Sequence, residues 1–400
     1  PAEPAVSRLL VAPLLVALVG SATAADEPSR LTLSGFGTLG VVRSDKDDFH
    51  FRSSTTQSSA SPGQNFDSTT DSVLGVQGTA RLHDQLDATV QAVTRQTVDY
   101  EYTPRISWAY LRYRATPELT FRAGRTTTPF FMFSDSLNLN YITPWVRPPV
   151  EVYSLNPFAA LDGIDLLYRI PVGTLDLEIQ ALYGDSHVSI PHGSASLKSA
   201  KGLKLALAGS GLTLQAGYAR TDLEVHWGDY FYNYLTTVMP PNVSQNMAGN
   251  EGHAQFFSAG MQWEKDNWLA IAEYAKRKVD RYINTSHAWY ITTGYRFGAL
   301  TPFVTYAKQV QEAPANDATL PPALAPLMDI FNASRNNAQK TIALGLRWDV
   351  ARNIAIKAQG ERIYLGPDSR GIFASPSNPT DYNKPTNPVH VLSLSVDFVF

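Results

Sequence analysis

The chain has 400 residues, no cysteine, a formal net charge of −3 at pH 7 and only 17% charged residues. The lack of cysteine excludes a disulfide framework and a thiolate metal site, and the absence of a basic block argues against a nucleic-acid partner. The low charged fraction, with 19 Tyr and 18 Phe, favours β-structure. No metalloprotease, phosphate-loop or EF-hand spacing occurs, so we expect no cofactor.

Residues 1–25 have the composition of an export signal. A basic residue precedes an apolar run from Leu9 to Val19, and Ala22-Thr23-Ala24 follows as a cleavage motif. The run is too short for a transmembrane helix, and Pro13 lies within it. We expect cleavage at or one residue after this motif and a single mature domain over residues 26–400; a buried helix of a cytosolic protein is the alternative.

Segments of about ten residues with alternating apolar and polar side chains recur along the rest of the chain. This period of two predicts β-strands with one apolar face each. Seven short spacers with turn compositions join these segments into hairpins, and two further strands, at residues 31–42 and at the C-terminus, bring the total to about sixteen. The short spacers are His83-Asp84-Gln85, Thr116-Pro117-Glu118, Val172-Gly173, Gly209-Ser210-Gly211, Lys265-Asp266-Asn267, Gly298-Ala299 and Ala351-Arg352-Asn353.

Long spacers rich in Ser, Thr, Asn, Asp and Pro alternate with the short spacers along the chain. A soluble β-sandwich has no reason to separate short and long connections in this way, whereas membrane barrels have short turns at one end and long loops at the other. We therefore predict an all-β, up-and-down antiparallel transmembrane β-barrel of about 16 strands with long external loops. The long spacers are residues 43–72, 96–104, 126–163, 184–201, 221–253, 278–286, 308–339 and 363–389.

Alternation alone does not decide which face of the strands points outward. A soluble barrel would place the apolar face inside, and a membrane barrel would place it against lipid. Trp263, Trp268, Phe297 and Trp348 lie close to the short turns, where an aromatic girdle at a membrane interface would stand. They favour the membrane arrangement; a soluble β protein is the alternative.

The last strand, residues 391–400, alternates apolar and polar side chains and ends on Phe400. Its length suits a tilted membrane crossing of about 9–11 residues. This C-terminus resembles that of bacterial outer-membrane barrels, in which the last strand closes against the first so that no strand edge meets lipid.

The most specific stretch combines Ala109-Tyr110-Leu111-Arg112-Tyr113-Arg114, Leu119-Thr120-Phe121-Arg122-Ala123-Gly124-Arg125 and a long insert ending in Asp162-Gly163-Ile164-Asp165-Leu166. Over residues 31–400 the chain resembles the Gram-negative general porin family. The resemblance implies a homotrimer and a third external loop, here residues 126–163, that folds into the lumen. It also implies outer-membrane lipid, lipopolysaccharide and small hydrophilic solutes as partners. The loop departs from the family in its length and in Trp145-Val146-Arg147-Pro148-Pro149, which leaves a substrate-selective porin as an alternative.

Strand parity predicts a basic wall inside this barrel, with carboxylates brought near it by the third loop. Opposed charges across a water-filled gap create a transverse field that orients dipolar solutes. Arg125 has the opposite parity to Arg122, so it either lines the constriction or anchors the root of the loop. The basic excess favours anions or small organic acids. The predicted basic residues are Arg81, Arg95, Arg112, Arg114, Arg122, Arg125 and Arg169, and the predicted carboxylates are Asp135, Glu151, Asp162 and Asp165.

The leading hypothesis is a passive diffusion channel without enzymatic activity. A barrel plugged by its loops and used for surface binding is an alternative. A rim hydrolase built on Ser189, His187 and His192 is another, but a Ser-rich loop readily places such residues together. Three nearby carboxylates, Asp45, Asp47 and Asp48, are candidates for calcium binding or for a solvated acidic loop.

Overall fold

The computed structural model describes residues 30–46, 50–57, 65–98, 101–191, 193–227, 230–247, 249–374 and 388–400. The predicted export signal lies outside these residues, as do Asp47, Asp48 and His192. The strands in chain order are β1 Leu31–Ser44, β2 Val73–His83, β3 Leu86–Arg95, β4 Arg105–Arg114, β5 Leu119–Thr127, β6 Ala160–Val172, β7 Leu175–Ile190, β8 Gly193–Gly209, β9 Leu212–Trp227, β10 Gly252–Lys265, β11 Trp268–Val279, β12 Thr285–Tyr295, β13 Leu300–Ala313, β14 Gln339–Ala351, β15 Ile354–Leu365 and β16 Val389–Val399.

The strands form one closed antiparallel barrel in which every strand pairs with its neighbours in sequence. β1 closes against β16, with Phe36 opposite Val399 and Thr38 opposite Asp397. Closure satisfies the backbone groups of both terminal strands, so no open edge remains among them. The predicted sixteen-stranded barrel is confirmed.

All seven predicted short turns connect adjacent strands at one end of the barrel. At the turn between β10 and β11, Asp266 and Asn267 have φ values of 50° and 69°. Two consecutive positive φ values suit the hairpin turns whose twist matches the strands, and Asp and Asn tolerate this backbone region better than most residues. The residues of the short turns therefore determine where the strands reverse direction at this end of the barrel.

The opposite end carries the eight remaining connections, which we number loops 1 to 8 in chain order. Among the residues that the structure describes, four α-helices lie in three of these loops: α1 Val150–Tyr153 in loop 3, α2 Tyr230–Val238 and α3 Pro241–Met247 in loop 5, and α4 Ala325–Ser334 in loop 7. Within the described residues, none of the helices has the length and hydropathy to cross a membrane. The loops are residues 45–72, 96–104, 128–159, 191–192, 228–251, 280–284, 314–338 and 366–388.

Loop 4 differs from the long spacer predicted for residues 184–201. β7 and β8 remain paired up to Ile190 and Gly193, so only a tight turn separates them. The polar residues of this segment resemble those of a loop. A strand pair that extends beyond the apolar outer band of the barrel has water on its outer side, so it accommodates polar side chains as well. A register shift between Lys198 and Lys201 interrupts the regular pairing of β8 with β9.

The apolar faces of the strands point outward. On β16, Leu392 and Leu394 are 54% and 50% exposed, whereas Ser393 and Asp397 are fully buried on the inner side. Trp268 and other aromatic residues near the short turns are exposed as well. An apolar outer surface with polar groups inside is the arrangement of a barrel that spans a membrane, and it confirms the predicted orientation.

Loop 3 folds into the barrel and packs against the inner side of β10 to β13. Thr126 and Thr127 pair with Leu161 and Ala160, so the loop is somewhat shorter than predicted. Its aromatic residues share a buried cluster with inward-facing residues of the strands. Burying these rings inside the barrel is favourable because it removes a large apolar area from water. The cluster includes Phe130, Phe131, Phe133, Trp145, Ile271, Tyr290 and Phe303.

Candidate channel constriction

The inward face of β3 and β4 carries one carboxylate between two arginines. Side chains alternate along a strand, and the register with β3 places Trp108, Tyr110, Arg112 and Arg114 on this face together. Both guanidinium groups bind Asp87, which is only 3% exposed, and Arg112 Nε lies 2.9 Å from Asp87 Oδ2. Predicted lumen residues Arg112 and Arg114 therefore lie together inside the barrel.

Arg122 lies next to this pair on β5, opposite Asp165 of β6. Its Nε donates to Asp165 Oδ1 at 2.8 Å, and a second bond joins the same two groups. The buried carboxylate also accepts a hydrogen bond from Gln180 at 3.0 Å. A two-point ion pair fixes the plane of a guanidinium group, so Arg122 offers a positive group with a defined orientation.

Arg169 extends the wall toward the short-turn end. It donates to Glu178 at 2.9 Å, and the same carboxylate lies 3.4 Å from Lys204 Nζ. The Arg169 side chain is 68% exposed to the lumen. An exposed ion pair of this kind contributes little to stability and leaves the guanidinium group accessible to solutes.

Two further arginines of the wall form no direct ion pair among the described residues, although the Asp71 carboxylate attracts Arg95 through space. Arg81 faces Asp87 in the strand register, but its side chain forms no ion pair or hydrogen bond there. Arg95 donates to the amide oxygen of Asn138 in loop 3 at 3.2 Å. The wall therefore has a basic excess at these positions.

Asp135 lies on the part of loop 3 that faces the wall. It is exposed, and with Gln91 and Trp108 it borders a cavity of about 340 Å³ between loop 3 and the strands. Its carboxylate attracts the Arg122 guanidinium through space without forming a direct ion pair. Fixed charges of opposite sign therefore face each other inside the barrel, an arrangement that orients dipolar solutes.

Glu151 lies away from this gap, which corrects its predicted position near the basic wall. It is 1% exposed and accepts hydrogen bonds from Gln339, at 2.7 Å, and Thr341 on β14. Burial raises the pKa of the Glu151 carboxyl. The helical turn of α1 directs this side chain toward β14, so Glu151 anchors the loop instead of lining the gap.

Arg125 and Asp162 lie on the outer face of the barrel, which corrects the predicted lumen position of Asp162 and leaves, for Arg125, the alternative of an anchor at the root of loop 3. Arg125 is paired with Asp162 in the register, with the opposite parity to Arg122 and Asp165. The pair is bidentate, with both N–O distances 2.7 Å, and both side chains are exposed. Strand parity alone decides this outcome.

Sequence reasoning noted Arg147 but did not assign it a role. Its guanidinium group is buried and binds Asp71 of loop 1, at 2.6 Å and 2.8 Å, and Glu361 of β15, at 2.5 Å. The two carboxylates raise the pKa of Arg147 further above its ordinary value. Because removing one partner of a buried ion pair is strongly destabilising, Arg147 ties loop 3 firmly to the wall and to loop 1.

Glu273 and Trp145 hold the opposite side of loop 3. Glu273 accepts hydrogen bonds from the Met132 backbone N–H at 2.9 Å and the Tyr153 hydroxyl at 3.0 Å. The Trp145 indole N–H lies 3.0 Å from Thr292 Oγ1. The inward parity of Glu273 on β11 is the sequence signal that could have marked it, but the identity of its partners depends on the path of the loop.

The residues of the alternative sites have other partners in the structure. His187 Nδ1 lies 3.0 Å from the hydroxyl of Ser196, and Ser189 pairs with Ser194 in the strand ladder. Asp45 lies 2.9 Å from His390. Within the described part of the chain, no group of three or more His, Cys, Asp or Glu residues could hold a metal ion.

Comparison with known proteins agrees with this geometry. A family model described as Gram-negative porin matches residues 11–364. The outer membrane channel DcaP of Acinetobacter baumannii is 15% identical, with 92% of this chain and 97% of that chain covered and a TM-score of 0.55. An anion-selective porin from Comamonas acidovorans is 14% identical, with coverage of 92% and 99% and a TM-score of 0.55.

A trimer form of OmpT, an outer membrane protein of Vibrio cholerae, is 12% identical, with coverage of 92% and 99% and a TM-score of 0.52. Identities this low show a shared fold alone. No curated protein sequence matches the chain. The family match extends over most of the chain and agrees with the closed barrel, its lipid-facing apolar surface and the inward-folded loop 3. The chain therefore belongs to the Gram-negative porin family and is an outer-membrane channel for passive diffusion.

Proposed function

We propose that small hydrophilic solutes cross this channel through a gap between Arg122 and Asp135 and that anions pass more readily than cations. The observation that carries the proposal is the position of Asp135 on loop 3, facing an Arg122 that Asp165 holds in place. Arg81 and Arg95 add positive charge and form no direct ion pair among the described residues, which supports the anion preference. The similarity to an anion-selective porin from Comamonas acidovorans also supports it.

The reversal potential in a salt gradient tests this proposal. We expect the wild-type channel in a planar bilayer with unequal KCl to prefer chloride, and Arg122→Ala to shift the preference toward potassium. The shift has two causes, because the substitution removes a positive group and leaves the Asp165 carboxylate without its partner.

Arg125→Ala is the matched control, since Arg125 lies three positions along the same strand on the outer face. Its reversal potential should equal that of the wild type. Equal reversal potentials for Arg122→Ala and Arg125→Ala would contradict the proposed gap, and a channel that is closed at all voltages would favour the plugged, surface-binding alternative.

We further propose that the channel is a homotrimer embedded in lipid and lipopolysaccharide and that it performs no covalent chemistry. The trimer form of the Vibrio OmpT supports the assembly. The mass of the detergent-solubilised protein, measured by light scattering, tests it. Unchanged lipid and peptide turnover in Ser189→Ala and His187→Ala preparations would exclude the rim hydrolase.

A further inference from the structure

A second cavity lies at the external end of the barrel, between loop 3 and the loops above it. Its volume is about 530 Å³, which is in the range of small-molecule sites. Phe130 and Phe158 of loop 3 contribute to its floor, and Leu197 of β8 and Leu223 of β9 contribute to its wall. Arg122 and Asp135 do not line it, so it is separate from the proposed gap.

The wall of this cavity is apolar, in contrast to the usual interior of a porin. Inward-facing positions of a water-filled barrel are ordinarily polar. Here Leu197, Ala219, Leu223 and Val225 occupy such positions, and each is at most 5% exposed. Part of this surface packs on loop 3, but the cavity shows that loop 3 does not fill the space. An apolar wall around an open space fits an apolar part of a ligand.

The same cavity is rich in guanidinium groups. Arg52, Arg277, Arg335 and Arg370 line it, and the described residues of its lining include no Asp or Glu. The positive charges of Arg52 and Arg277 in this lining attract an anion more strongly than a cation or a neutral molecule.

Arg277 and Arg52 are held by neutral partners. Arg277 donates to the Leu155 carbonyl at 3.1 Å and to Asn284 Oδ1 at 2.8 Å, and its buried Nε has no hydrogen-bond partner in the described structure. Arg52 Nε donates to the Ile372 carbonyl at 2.6 Å. Burial lowers the pKa of Arg52 to about 10, so the group is still charged at neutral pH. Buried charges without counter-ions are costly, and an anionic ligand would relieve that cost.

We propose that this external cavity binds an organic carboxylate with an aromatic or branched apolar body, which Arg277 and Arg52 hold by its carboxylate. An inorganic or fully hydrophilic anion would lose hydration against the apolar wall without compensation, and a neutral aromatic molecule would leave Arg277 and Arg52 with neutral partners only. The inference rests on the proposed anion preference of the channel and names a class of solute that the channel concentrates at its external mouth.

Calorimetric titration of the full-length protein in detergent micelles tests binding directly. Benzoate is the probe, and benzamide and acetate are its matched neutral and non-aromatic counterparts. We expect benzoate to bind more tightly than either. Arg277→Gln and Arg52→Gln should each weaken benzoate binding about tenfold, as expected for the loss of a charge-assisted hydrogen bond.

Leu223→Ser should weaken benzoate binding and leave the guanidinium groups in place. Arg296→Gln, at an exposed position in the short turn between β12 and β13, is the control and should bind benzoate like the wild type. Equal binding of benzoate and benzamide, or equal benzoate binding by Arg277→Gln, Arg52→Gln and Arg296→Gln, would overturn the proposal.

KCl conductance separates this site from the channel function. Wild-type protein that conducts KCl with anion preference but does not bind benzoate would refute the cavity proposal and leave the channel proposal standing. A protein that binds benzoate but prefers potassium would support the cavity site and contradict the proposed anion preference.

Discussion

A charged side chain inside this barrel either lines the lumen or anchors loop 3. The partner that it binds determines which of these two roles it has. Arg122 is paired with Asp165 on the neighbouring strand and still faces Asp135 across the gap. Arg147 is instead enclosed between Asp71 and Glu361 and is only 5% exposed. Charge and inward position are common to both groups, so neither property alone marks a lumen residue.

The buried carboxyl group of Glu151 leads to a prediction about how the stability of the protein depends on pH. Its pKa is raised by burial, so the folded state favours the protonated form. The stability that this group contributes is present below its unfolded pKa of about 4.3 and is lost as the pH rises through the raised folded value. We expect Glu151→Gln to unfold at a higher temperature than the wild type at neutral pH.

The difference between the two unfolding temperatures should shrink as the pH is lowered to about 4, where wild-type Glu151 is protonated as well. Thermal unfolding followed by circular dichroism measures it. Glu251→Gln, at an exposed loop position, controls for the loss of one negative charge. A Glu151→Gln protein that is less stable than the wild type at neutral pH would contradict the assignment.

Loop 3 is the element that narrows the interior of a wide barrel. Sixteen strands leave an aqueous channel unless something fills it, and here loop 3 contacts β11, β12 and β13 through α1. The loop contains little regular structure, so its position depends on side-chain anchors such as Glu273, Trp145 and Lys357. Lys357 Nζ donates to the Trp145 carbonyl at 2.7 Å and lies 2.8 Å from Asp397.

Glu273→Ala tests the anchoring of loop 3. The substitution removes the acceptor for the Met132 backbone N–H and for the Tyr153 and Tyr290 hydroxyls, and each unsatisfied buried donor costs about 1–3 kcal/mol. We expect loop 3 to move away from β11, which should raise the noise of the open-channel current and change the conductance steps.

Glu264→Ala is the control, because Glu264 lies on the adjacent strand β10 at an exposed position near the short turn. Single-channel recordings in a planar bilayer compare the two variants. A Glu273→Ala channel as quiet as Glu264→Ala would show that the other anchors hold loop 3 without Glu273.

At the scale of the whole molecule, closure of β1 on β16 makes the barrel a single unit. Thr38 donates to Asp397 at 2.7 Å on the inner side of this seam. On the outer side, the rings of Phe398 and Phe400 cover Gly37 and Gly35, where a Cβ atom would overlap them. Small residues on one strand and large rings on the other therefore interlock at the seam.

Removing these rings should destabilise the barrel at its seam. For Phe398→Ala and Phe400→Ala combined, we expect a loss of about 2 kcal/mol per ring, roughly half the cost of a fully buried Phe, because each ring also faces lipid. Leu392→Ala with Leu394→Ala, on the same outward face of β16, is the control. Urea unfolding in lipid vesicles measures both, and an equal loss in the two double variants would mean that the seam has no special packing.

Most of the fold could be predicted from the sequence because its determinants are local. The period of two assigns each side chain to a face, and turn residues such as Asp266 and Asn267 fix where a hairpin reverses. The predicted loop at residues 184–201 was wrong because polar composition does not separate a loop from a strand pair that extends above the membrane. Parity likewise predicted the inward position of Arg112, Arg114 and Arg122, but not their partners.

The sequence by itself determined a closed barrel of sixteen strands with an apolar outer surface, since strand alternation and turn chemistry act over a few residues. Only the tertiary structure decided the path of loop 3, which buries Glu151 at β14 and leaves Asp135 facing Arg122. The external cavity with its arginines is likewise visible only in three dimensions, because six loops and the inner wall contribute to it. The physical reason is that loop 3 is positioned by contacts between residues far apart in the chain, and no local pattern records those contacts.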